Sequence, residues 1–313
     1  MNLAAAVIKG DARAAARLIT LIEDEAPEAL DALEELYPRT GRAYIIGVTG
    51  APGVGKSTLT DCLIDVFRKQ NKSVGVIAID PTSALTGGAL LGDRIRMQRH
   101  AADLGVFIRS LATRGWTGGL AKAALGAVHV LDAMGQDFII VETVGSGQVE
   151  LDIVKAADTT ILVMAPGAGD EIQMMKAGII ESADIVVLNK ADLLGTKRLE
   201  ADISAALRPT EIGDNQWLPP VVLTESVNGK GAKEVVAAVI KHWHFLKYIN
   251  ALKQRRRERI KLELSVNIES YLKELVNNLE GNLLDKLVND LQSGKTTPRR
   301  AARQVLSRLR KEA

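Results

Sequence analysis

The sequence contains a single cysteine, Cys62, among its 313 residues. One thiol excludes an internal disulfide and a cysteine cluster for a metal, so we expect Cys62 to serve in packing on a helix. The sequence also lacks an apolar run of about 18 residues, the length that a membrane-spanning helix needs. The opening is rich in Ala and Arg, but Asp11 and an acidic stretch at 23–35 follow it, which is unlike a transit peptide. We therefore expect a soluble, cytoplasmic protein.

An excess of charge of one sign is missing too, because 40 basic residues stand against 38 acidic ones. A balanced charge gives no global field for nucleic acid or a membrane surface, and neither is expected as a partner. The basic residues concentrate at 253–261 and 298–313. Such runs are typical of solvated helix faces or dimer rims, and a polyanion-binding patch is the alternative. The four histidines are dispersed; we expect His242 and His244 to have surface or packing roles rather than to bind a metal, because no third ligand is near in sequence.

A glycine-rich stretch follows the apolar run at 44–48 and reads GxxxxGKS, the phosphate-binding P-loop pattern. Glycines let successive backbone N–H groups approach a phosphate, and the helix that starts near Lys56 directs its positive end to the same anion. Lys56 adds a positive charge, and Ser57 is placed to ligate Mg²⁺. The predicted phosphate-binding residues are Gly50, Ala51, Pro52, Gly53, Val54, Gly55, Lys56, Ser57 and Thr58.

The apolar periodicity predicts an α/β protein in three parts. Residues 1–41 have helical spacing and predict a helical hairpin as an N-terminal extension. Residues 42–243 alternate helical segments with short apolar runs at 44–48, 74–79, 138–141, 160–165, 185–188 and 221–224, which predicts a P-loop NTPase domain with a mainly parallel sheet flanked by helices. Residues 244–313 predict amphipathic helices, including one that starts at Thr297-Pro298. This arm is too short for a sizeable core, so we expect its apolar stripes to pack on another subunit.

Polar residues follow the predicted strands at their carboxyl ends, where parallel sheets bind ligands. Asp80 begins the segment that follows the second apolar run, Asp93 lies further along it, and Glu142 directly follows the third apolar run. These carboxylates can reach Mg²⁺ directly or through water, although capping of ordinary turns is the alternative for Asp80 and Asp93. Gly145 can offer its N–H to the γ-phosphate. The glycine-rich segment at 166–171 is read equally well as a moving element or as a helix-capping turn.

The fifth apolar run is followed by Asn189-Lys190-Ala191-Asp192, a segment that predicts which nucleotide base the site binds. A carboxylate at Asp192 can accept hydrogen bonds from the ring N–H and the 2-amino group of guanine, whereas adenine offers a ring acceptor there and no 2-amino group. A site built for two donors strongly rejects a base that lacks them, so GTP and GDP are expected over adenine nucleotides. Lys190 can lie along the base, and Asn189 can tie this loop to the P-loop. Backbone groups at Ser226 and Val227 are predicted to close over the guanine carbonyl.

Taken together, these motifs resemble the MeaB/ArgK family of P-loop GTPases. The resemblance covers nearly the whole chain and rests on the P-loop and four further segments, at 80–97, 142–148, 166–173 and 189–192. It implies that Ser57, Asp80, Asp93 and Glu142 surround Mg²⁺ and that the C-terminal helices form a homodimerisation arm. It also assigns Asp93 to switch I and the loop after Glu142 to switch II. A third switch is assigned to Asp170, Glu171, Gln173 and Lys176, and Lys176 is implicated in signalling to the partner. The chain departs from the family pattern at Thr82, Ala84, Ser146 and Val149.

Proteins of that family are chaperones of adenosylcobalamin-dependent acyl-CoA mutases, chiefly methylmalonyl-CoA mutase. The resemblance therefore implies a GTPase that couples GTP hydrolysis to cofactor loading and mutase protection, sometimes together with a corrinoid adenosyltransferase. No glutamine directly follows Gly145 and no arginine finger is identifiable, so slow intrinsic hydrolysis is expected. Three alternatives stay open at this point. They are a GTPase metallochaperone for a nickel or cobalt enzyme, a transport-associated ArgK-type kinase or ATPase, and a GTPase that acts on nucleic acid.

Overall fold

The computed structural model describes residues 2–80, 98–100, 102–112, 117–143, 157–167, 180–207, 216–277 and 283–312. It divides into two compact units, Met1–Leu262 and Glu263–Ala313. The three-part division drawn from the sequence, with boundaries after residues 41 and 243, stays a prediction. No helix among the described residues is long and apolar enough to cross a membrane.

Among the described residues, a seven-stranded sheet forms the centre of the first unit, and the strand pairings found in it are parallel. The strands are β1 (Tyr44–Thr49), β2 (Val74–Asp80), β3 (Val106–Ala112), β4 (Phe138–Glu142), β5 (Thr159–Met164), β6 (Ile185–Leu188) and β7 (Val221–Leu223), in the order β3-β2-β4-β1-β5-β6-β7. All residues of β1, β4, β5 and β6 are buried, which fits their mainly apolar sequences, with polar residues only at strand ends. The predicted parallel sheet flanked by helices is therefore confirmed.

Strand β3 is the element that the sequence analysis missed. It lies at one edge of the sheet, and polar residues interrupt its apolar sequence at Arg109 and Ser110. Arg109 donates from Nη2 to Glu23 Oε2 at 2.7 Å and to Thr20 Oγ1 at 2.9 Å. The partners of Arg109 lie more than 80 positions earlier in the sequence. The sequence around Arg109 therefore gives no sign that an arginine can be accommodated in a strand here.

The described helices are α1 (Leu3–Ile8), α2 (Ala12–Glu23), α3 (Pro27–Leu36), α4 (Lys56–Lys69), α5 (Thr117–Met134), α6 (Thr196–Ala206), α7 (Ala232–Tyr248), α8 (Ala251–Asn277), α9 (Leu283–Gln292) and α10 (Pro298–Glu312). The N-terminal extension has three helices where the sequence predicted a hairpin of two. The side chains of Asn2 and Asp11 accept hydrogen bonds from backbone N–H groups at the starts of α1 and α2, and so begin two separate helices. Helix α2 packs on α5 and buries Leu18, Ile19 and Ile22.

A buried polar network lies at the amino ends of β1, β5 and β6. The Tyr44 hydroxyl is 2.6 Å from Thr159 Oγ1, which in turn is 2.8 Å from His242 Nδ1. The other ring nitrogen of His242 lies 3.3 Å from Asp184. Backbone N–H groups complete the network, because Thr160 donates to Asp184 and the amide of Ile45 donates to Asp158.

The basic segment 253–261 closes this network. Arg255 donates from both terminal nitrogens to Asp184, at 2.6 and 2.7 Å, and Arg259 approaches Asp158 at 3.2 Å. Arg256 lies 3.7 Å from Asp158 and donates to the carbonyls of Gly41 and Ala43. The predicted solvated face is correct for Arg257, which is exposed, but wrong for these three arginines. Their role is to neutralise two buried carboxylates.

The second unit has a small core of its own. Leu287, Ala301 and Val305 are buried, and they pack with Val276, Leu283, Leu291 and Leu309. The predicted start of α10 is confirmed, since the Arg300 amide donates to Thr297 Oγ1 at 3.4 Å and Pro298 is the first helical residue. Part of the apolar surface assigned to another subunit is thus buried within the chain. Other residues remain exposed along α8, namely Leu264, Ile268, Tyr271 and Leu272.

The arginine network yields a stability prediction. Arg255→Ala leaves the nearly buried Asp184 carboxylate without its bidentate partner, so the free energy of unfolding should fall by about 2 kcal/mol. Arg257→Ala, two positions along the same helix and exposed, should change it by less than about 0.5 kcal/mol. Urea unfolding followed by circular dichroism measures both. Equal effects of the two substitutions would contradict the proposed role of Arg255.

Burial of His242 predicts a dependence of stability on pH. Loss of hydration lowers the pKa of His242 to about 4. The charge of Asp184 raises this pKa and the charge of Arg255 lowers it, but both effects are smaller than that of burial. The His242 side chain takes up a proton near pH 6.5 in the unfolded chain but only near pH 4 in the folded chain. The contribution of neutral His242 to the free energy of unfolding is therefore fully present above pH 6.5 and is lost as the pH falls from 6.5 to 4. It amounts to roughly 3 kcal/mol. His242→Gln should flatten the profile of unfolding free energy between pH 7 and pH 4.5, with His244→Gln as the matched control; an unchanged slope would refute it.

Candidate functional site

The loop between β1 and α4 lies directly against the neighbouring strand β5. Gly50 has a φ of +145°, and a Cβ there would lie 2.1 Å from the carbonyl oxygen of Val163. Gly55, the residue before α4, has a φ of +97°, and a Cβ there would lie 2.3 Å from Asn189 Nδ2. Both positions therefore require glycine for close approach as well as for backbone conformation. The result is a tight turn that leads the chain from a buried strand to the N-terminus of a helix.

Lys56, the first residue of α4, turns its side chain back onto this loop. Its Nζ donates to the carbonyl oxygens of Gly50 at 2.8 Å and Ala51 at 2.9 Å, and the residue is buried. The loop carbonyls thus hold an ammonium group at the helix N-terminus, where unpaired N–H groups and the helix dipole already favour an anion.

Two of the predicted metal ligands meet beside Lys56. Ser57 Oγ donates to Glu142 Oε1 at 2.5 Å, which joins the start of α4 to the end of β4. Glu142 is buried, and the next residue, Thr143, donates its N–H to the Val48 carbonyl. Because β4 pairs with both β1 and β2, the acidic end of this strand lies between the P-loop and the strand that ends at Asp80.

Asn189 connects three loops through its side-chain amide. Nδ2 donates to the Val54 carbonyl of the P-loop at 2.8 Å. Oδ1 accepts from Thr224 Oγ1 at 2.9 Å, from Ser226 Oγ at 2.8 Å and from the Ser226 amide at 3.1 Å. The amide is almost completely buried and used at both ends. It therefore fixes the P-loop, the loop after β6 and the loop after β7 relative to one another.

The residues after Asn189 face outward from this junction. Lys190 has a φ of +57° and donates from Nζ to the Gly53 carbonyl at 2.8 Å, so it reaches back over the P-loop. Asp192 is exposed, and Val227, in the loop after β7, is 89% exposed. Lys190 thus borders one side of the P-loop, while Ser57 and Glu142 meet where α4 begins and β4 ends.

Sequence reasoning missed two contributors to this arrangement. Thr224 supplies a hydroxyl to Asn189, and Cys62 lies 3.1 Å from the Ser226 carbonyl, which ties α4 to the loop after β7. Cys62 is buried on α4, which agrees with its predicted packing role, and this burial raises the pKa of its thiol. Polarity at the end of β7 was the available signal for Thr224, but its partner is 35 residues away.

Several predicted site residues are placed only in part or not at all. The backbone of Asp80 ends β2, next to the carboxyl end of β4. Pro52 is exposed and Thr58 half-buried in the first turn of α4. The remaining predicted residues, Asp93, Gly145, Asp170, Glu171, Gln173 and Lys176, lie outside the described part of the chain.

The junction around Asn189 can be tested by an isosteric change. Asn189→Asp replaces the donor to Val54 by an acceptor, so two oxygens would face each other inside a buried site. We expect affinity for the guanine nucleotide that the sequence predicts to fall by about tenfold or more, and the free energy of unfolding to fall by about 1–3 kcal/mol. Asn289→Asp, on an exposed position of α9, is the matched control. Titration of a fluorescent nucleotide and urea unfolding give the two readouts, and wild-type values for Asn189→Asp would disprove the junction's importance.

Comparison with solved structures supports the fold. The structure described as an LAO/AO transport system kinase superimposes with a TM-score of 0.70 at 24% identity, covering 98% of this chain and 96% of that one. At this identity the likeness concerns the fold alone. The chain therefore has the P-loop NTPase fold that its sequence predicted.

Comparison of sequences supports the family. A protein of Pyrococcus abyssi named as a GTPase is 54% identical over 269 residues, which cover 84% of this chain and 82% of that protein. A Mycobacterium tuberculosis protein named as a GTPase is 36% identical over 97% of this chain and 94% of its own length. The methylmalonic aciduria type A homolog of Caenorhabditis elegans, named as mitochondrial, is 31% identical over 96% and 80%. The family model for methylmalonyl-CoA mutase-associated GTPases matches residues 15–280, and the chain belongs to this family, MeaB.

Proposed function

We propose that this protein binds and hydrolyses GTP as a chaperone of an adenosylcobalamin-dependent acyl-CoA mutase, with methylmalonyl-CoA mutase as the partner. The observation that carries the nucleotide part is the side chain of Asn189, which joins a P-loop to the loop that bears Lys190 and Asp192. The partner rests on the family description, methylmalonyl-CoA mutase-associated GTPase. Cofactor loading and mutase protection, with a corrinoid adenosyltransferase as a further component, are the process that GTP hydrolysis would drive.

Guanine would bind between Lys190 and the loop after β7. Asp192 is exposed and can accept hydrogen bonds from the two neighbouring donors of the guanine ring. Lys190 already lies over the P-loop through its bond to Gly53, so its aliphatic part can cover the base. Ser226 is held by Asn189, and the backbone amide of its neighbour Val227 would face the guanine carbonyl.

The triphosphate would bind on the P-loop. Backbone N–H groups of residues 50–58 would surround its oxygens, and Lys56 would exchange a loop carbonyl for a phosphate oxygen. The Ser57 hydroxyl donates a hydrogen bond to Glu142, which leaves the lone pairs of the hydroxyl oxygen available to a cation. Together with the buried carboxylate this is a hard-oxygen environment that fits Mg²⁺. Ser57 would hold the ion, with Asp80, Asp93 and Glu142 around it directly or through water, and the ion would supply neutralisation of phosphate charge.

Hydrolysis would then depend on charge neutralisation and positioning rather than on a covalent step. Lys56 and the loop amides would stabilise the charge of the phosphates, and Gly145 would donate its N–H to the γ-phosphate. We propose slow hydrolysis in the isolated protein and faster hydrolysis when the mutase orders the switch segments. The third switch, with Asp170, Glu171, Gln173 and Lys176, would carry this signal.

A homodimer through the C-terminal arm completes the proposal. Leu264, Ile268, Tyr271 and Leu272 recur at helical spacing along α8, and Leu264 and Tyr271 are about 60% exposed. An apolar stripe of this length on a 27-residue helix fits a second copy of the same helix better than water.

Steady-state GTP hydrolysis with and without the mutase tests the proposed function. An adenosylcobalamin-dependent methylmalonyl-CoA mutase from the same organism, added at equal concentration, should raise turnover of GTP by about tenfold or more and leave ATP turnover unchanged. Lys56→Ala should abolish turnover, and Lys176→Ala should keep the basal rate but lose stimulation. An absence of both stimulation and co-elution with the mutase would remove the partner from the proposal.

The role of Asp192 has its own test. Asp192→Asn presents one acceptor and one N–H donor, which complements the ring N–H and C2 carbonyl of xanthine instead of the two donors of guanine. The variant should lose GTP affinity by about hundredfold and bind XTP more tightly than GTP. Asp202→Asn, on an exposed position of α6, should keep wild-type preference. Competition against a fluorescent nucleotide gives the ratio, and unchanged preference in Asp192→Asn would exclude a contact with the base.

A further inference from the structure

A groove of about 780 Å³ lies between the last turn of α4 and one face of α7. Its floor is apolar and includes Val66, Val236 and Ile240. It is separate from the proposed nucleotide site, because Lys56 begins α4 and Lys69 ends it, about 20 Å apart along a helix of this length. Nothing in the proposed reaction uses this groove.

Three lysines converge on the rim of this apolar floor, Lys69 from α4 and Lys233 and Lys241 from α7. Neither an ion pair nor a hydrogen bond joins any of the three to another described residue. Neighbouring basic residues behave differently, since Arg68 pairs with Asp103 at 2.8 Å and Lys72 with Asp137 at 3.3 Å. Among the described residues that line the groove there is no carboxylate. The lysines of the rim therefore carry positive charge without a carboxylate beside them, and the other polar residues of the lining are Gln70 and His244.

The nearest carboxylate on the last turns of α4 is already used. Asp65, one residue before Val66, pairs with Arg99 at 2.8 Å. It faces the segment before β3, whereas the groove is bordered by α7. The positive charge of the rim consequently has no internal counterpart on the described part of α4, and a ligand with negative charge would supply one.

We propose that this groove is the docking site for an acidic amphipathic helix of a partner protein. Apolar side chains of that helix would occupy the floor, and its flanking carboxylates would meet the three lysines. Two packed helices present ridges with a groove between them, which is the surface that a third helix fits. The volume of the groove, about 780 Å³, and its apolar floor favour a helix over a small anion, and the three lysines of the rim favour a helix with acidic flanks. The proposal is independent of the identity of the nucleotide.

Labelled peptides test this directly on the full-length protein. The probe is a designed helical peptide of about 18 residues with leucine at positions i, i+3, i+4 and i+7 and glutamate on its flanks. A second peptide carries lysine at the same flanking positions. Fluorescence anisotropy should show binding of the acidic peptide at least about tenfold tighter than that of the basic one, weakening as salt is raised. Equal affinity of the two peptides would overturn the proposal.

Variants locate the binding. Charge reversal of the rim, Lys69→Glu with Lys233→Glu and Lys241→Glu, should weaken the acidic peptide by about tenfold or more. The matched control reverses three exposed lysines elsewhere, Lys9, Lys197 and Lys295, and should keep wild-type affinity. Ala237→Gln adds volume at an exposed helical position in the groove without changing charge, and should also weaken binding. Wild-type affinity in both the rim variant and Ala237→Gln would overturn the proposal.

Two further measurements separate this occupant from others. Hydrogen exchange should show peptide-dependent protection in the last turn of α4 and along α7, and protection confined to other helices would contradict the site. Vesicles of phosphatidylcholine and phosphatidylglycerol should not compete with the acidic peptide. Competition that is lost in the rim variant would instead assign the groove to a lipid surface.

Discussion

The hydrogen bonds of the Asn189 side-chain amide are the interactions on which the carboxyl edge of the sheet depends. Its Nδ2 binds the P-loop carbonyl of Val54, and its Oδ1 accepts from Thr224 and Ser226. A buried amide with both ends used is costly to disturb, because any rearrangement leaves a desolvated polar group without a partner. Three loops from three different strands are thereby held as one surface. The base and phosphate parts of the proposed site are then in fixed register before any ligand binds.

The opposite edge of the same sheet is organised by charge. Asp158 and Asp184 precede β5 and β6, and their carboxylates are neutralised by Arg255, Arg256 and Arg259 from the start of α8. Buried carboxylates of this kind need both an opposite charge and hydrogen bonds, and the network supplies both. Two edges of one sheet thus use polar residues in different ways. The amino edge satisfies its buried charges internally, while the carboxyl edge brings Lys56, Ser57 and Glu142 together where an anion and a cation can bind.

The fold was predictable where its signals are local. Uninterrupted β-branched runs correspond to β1, β4, β5 and β6, which are buried on both faces, and the P-loop turn lies where the glycines require it. The missed elements have non-local causes. Strand β3 contains Arg109, whose partner Glu23 lies on the N-terminal helices, and α1 begins at a capping residue, Asn2, in a helix of only six residues. The basic segment 253–261 was read as solvated because the carboxylates that pair with it are about 70 to 100 positions earlier.

The sequence by itself determined the glycine turn between β1 and α4, and it carries the predictions of a phosphate-binding loop, a loop suited to guanine and oxygen ligands for a cation, because each of these lies within one short stretch. It also determined the parallel sheet, because strands buried on both faces must be apolar throughout. Only the tertiary structure decided how these parts meet. Asn189 reaches Val54 across 135 positions and Ser57 reaches Glu142 across 85, and the basic groove between α4 and α7 joins residues more than 160 positions apart. Such contacts depend on which faces of strands and helices pack together. Periodicity along one segment predicts which of its faces is buried, but not which other element packs against that face.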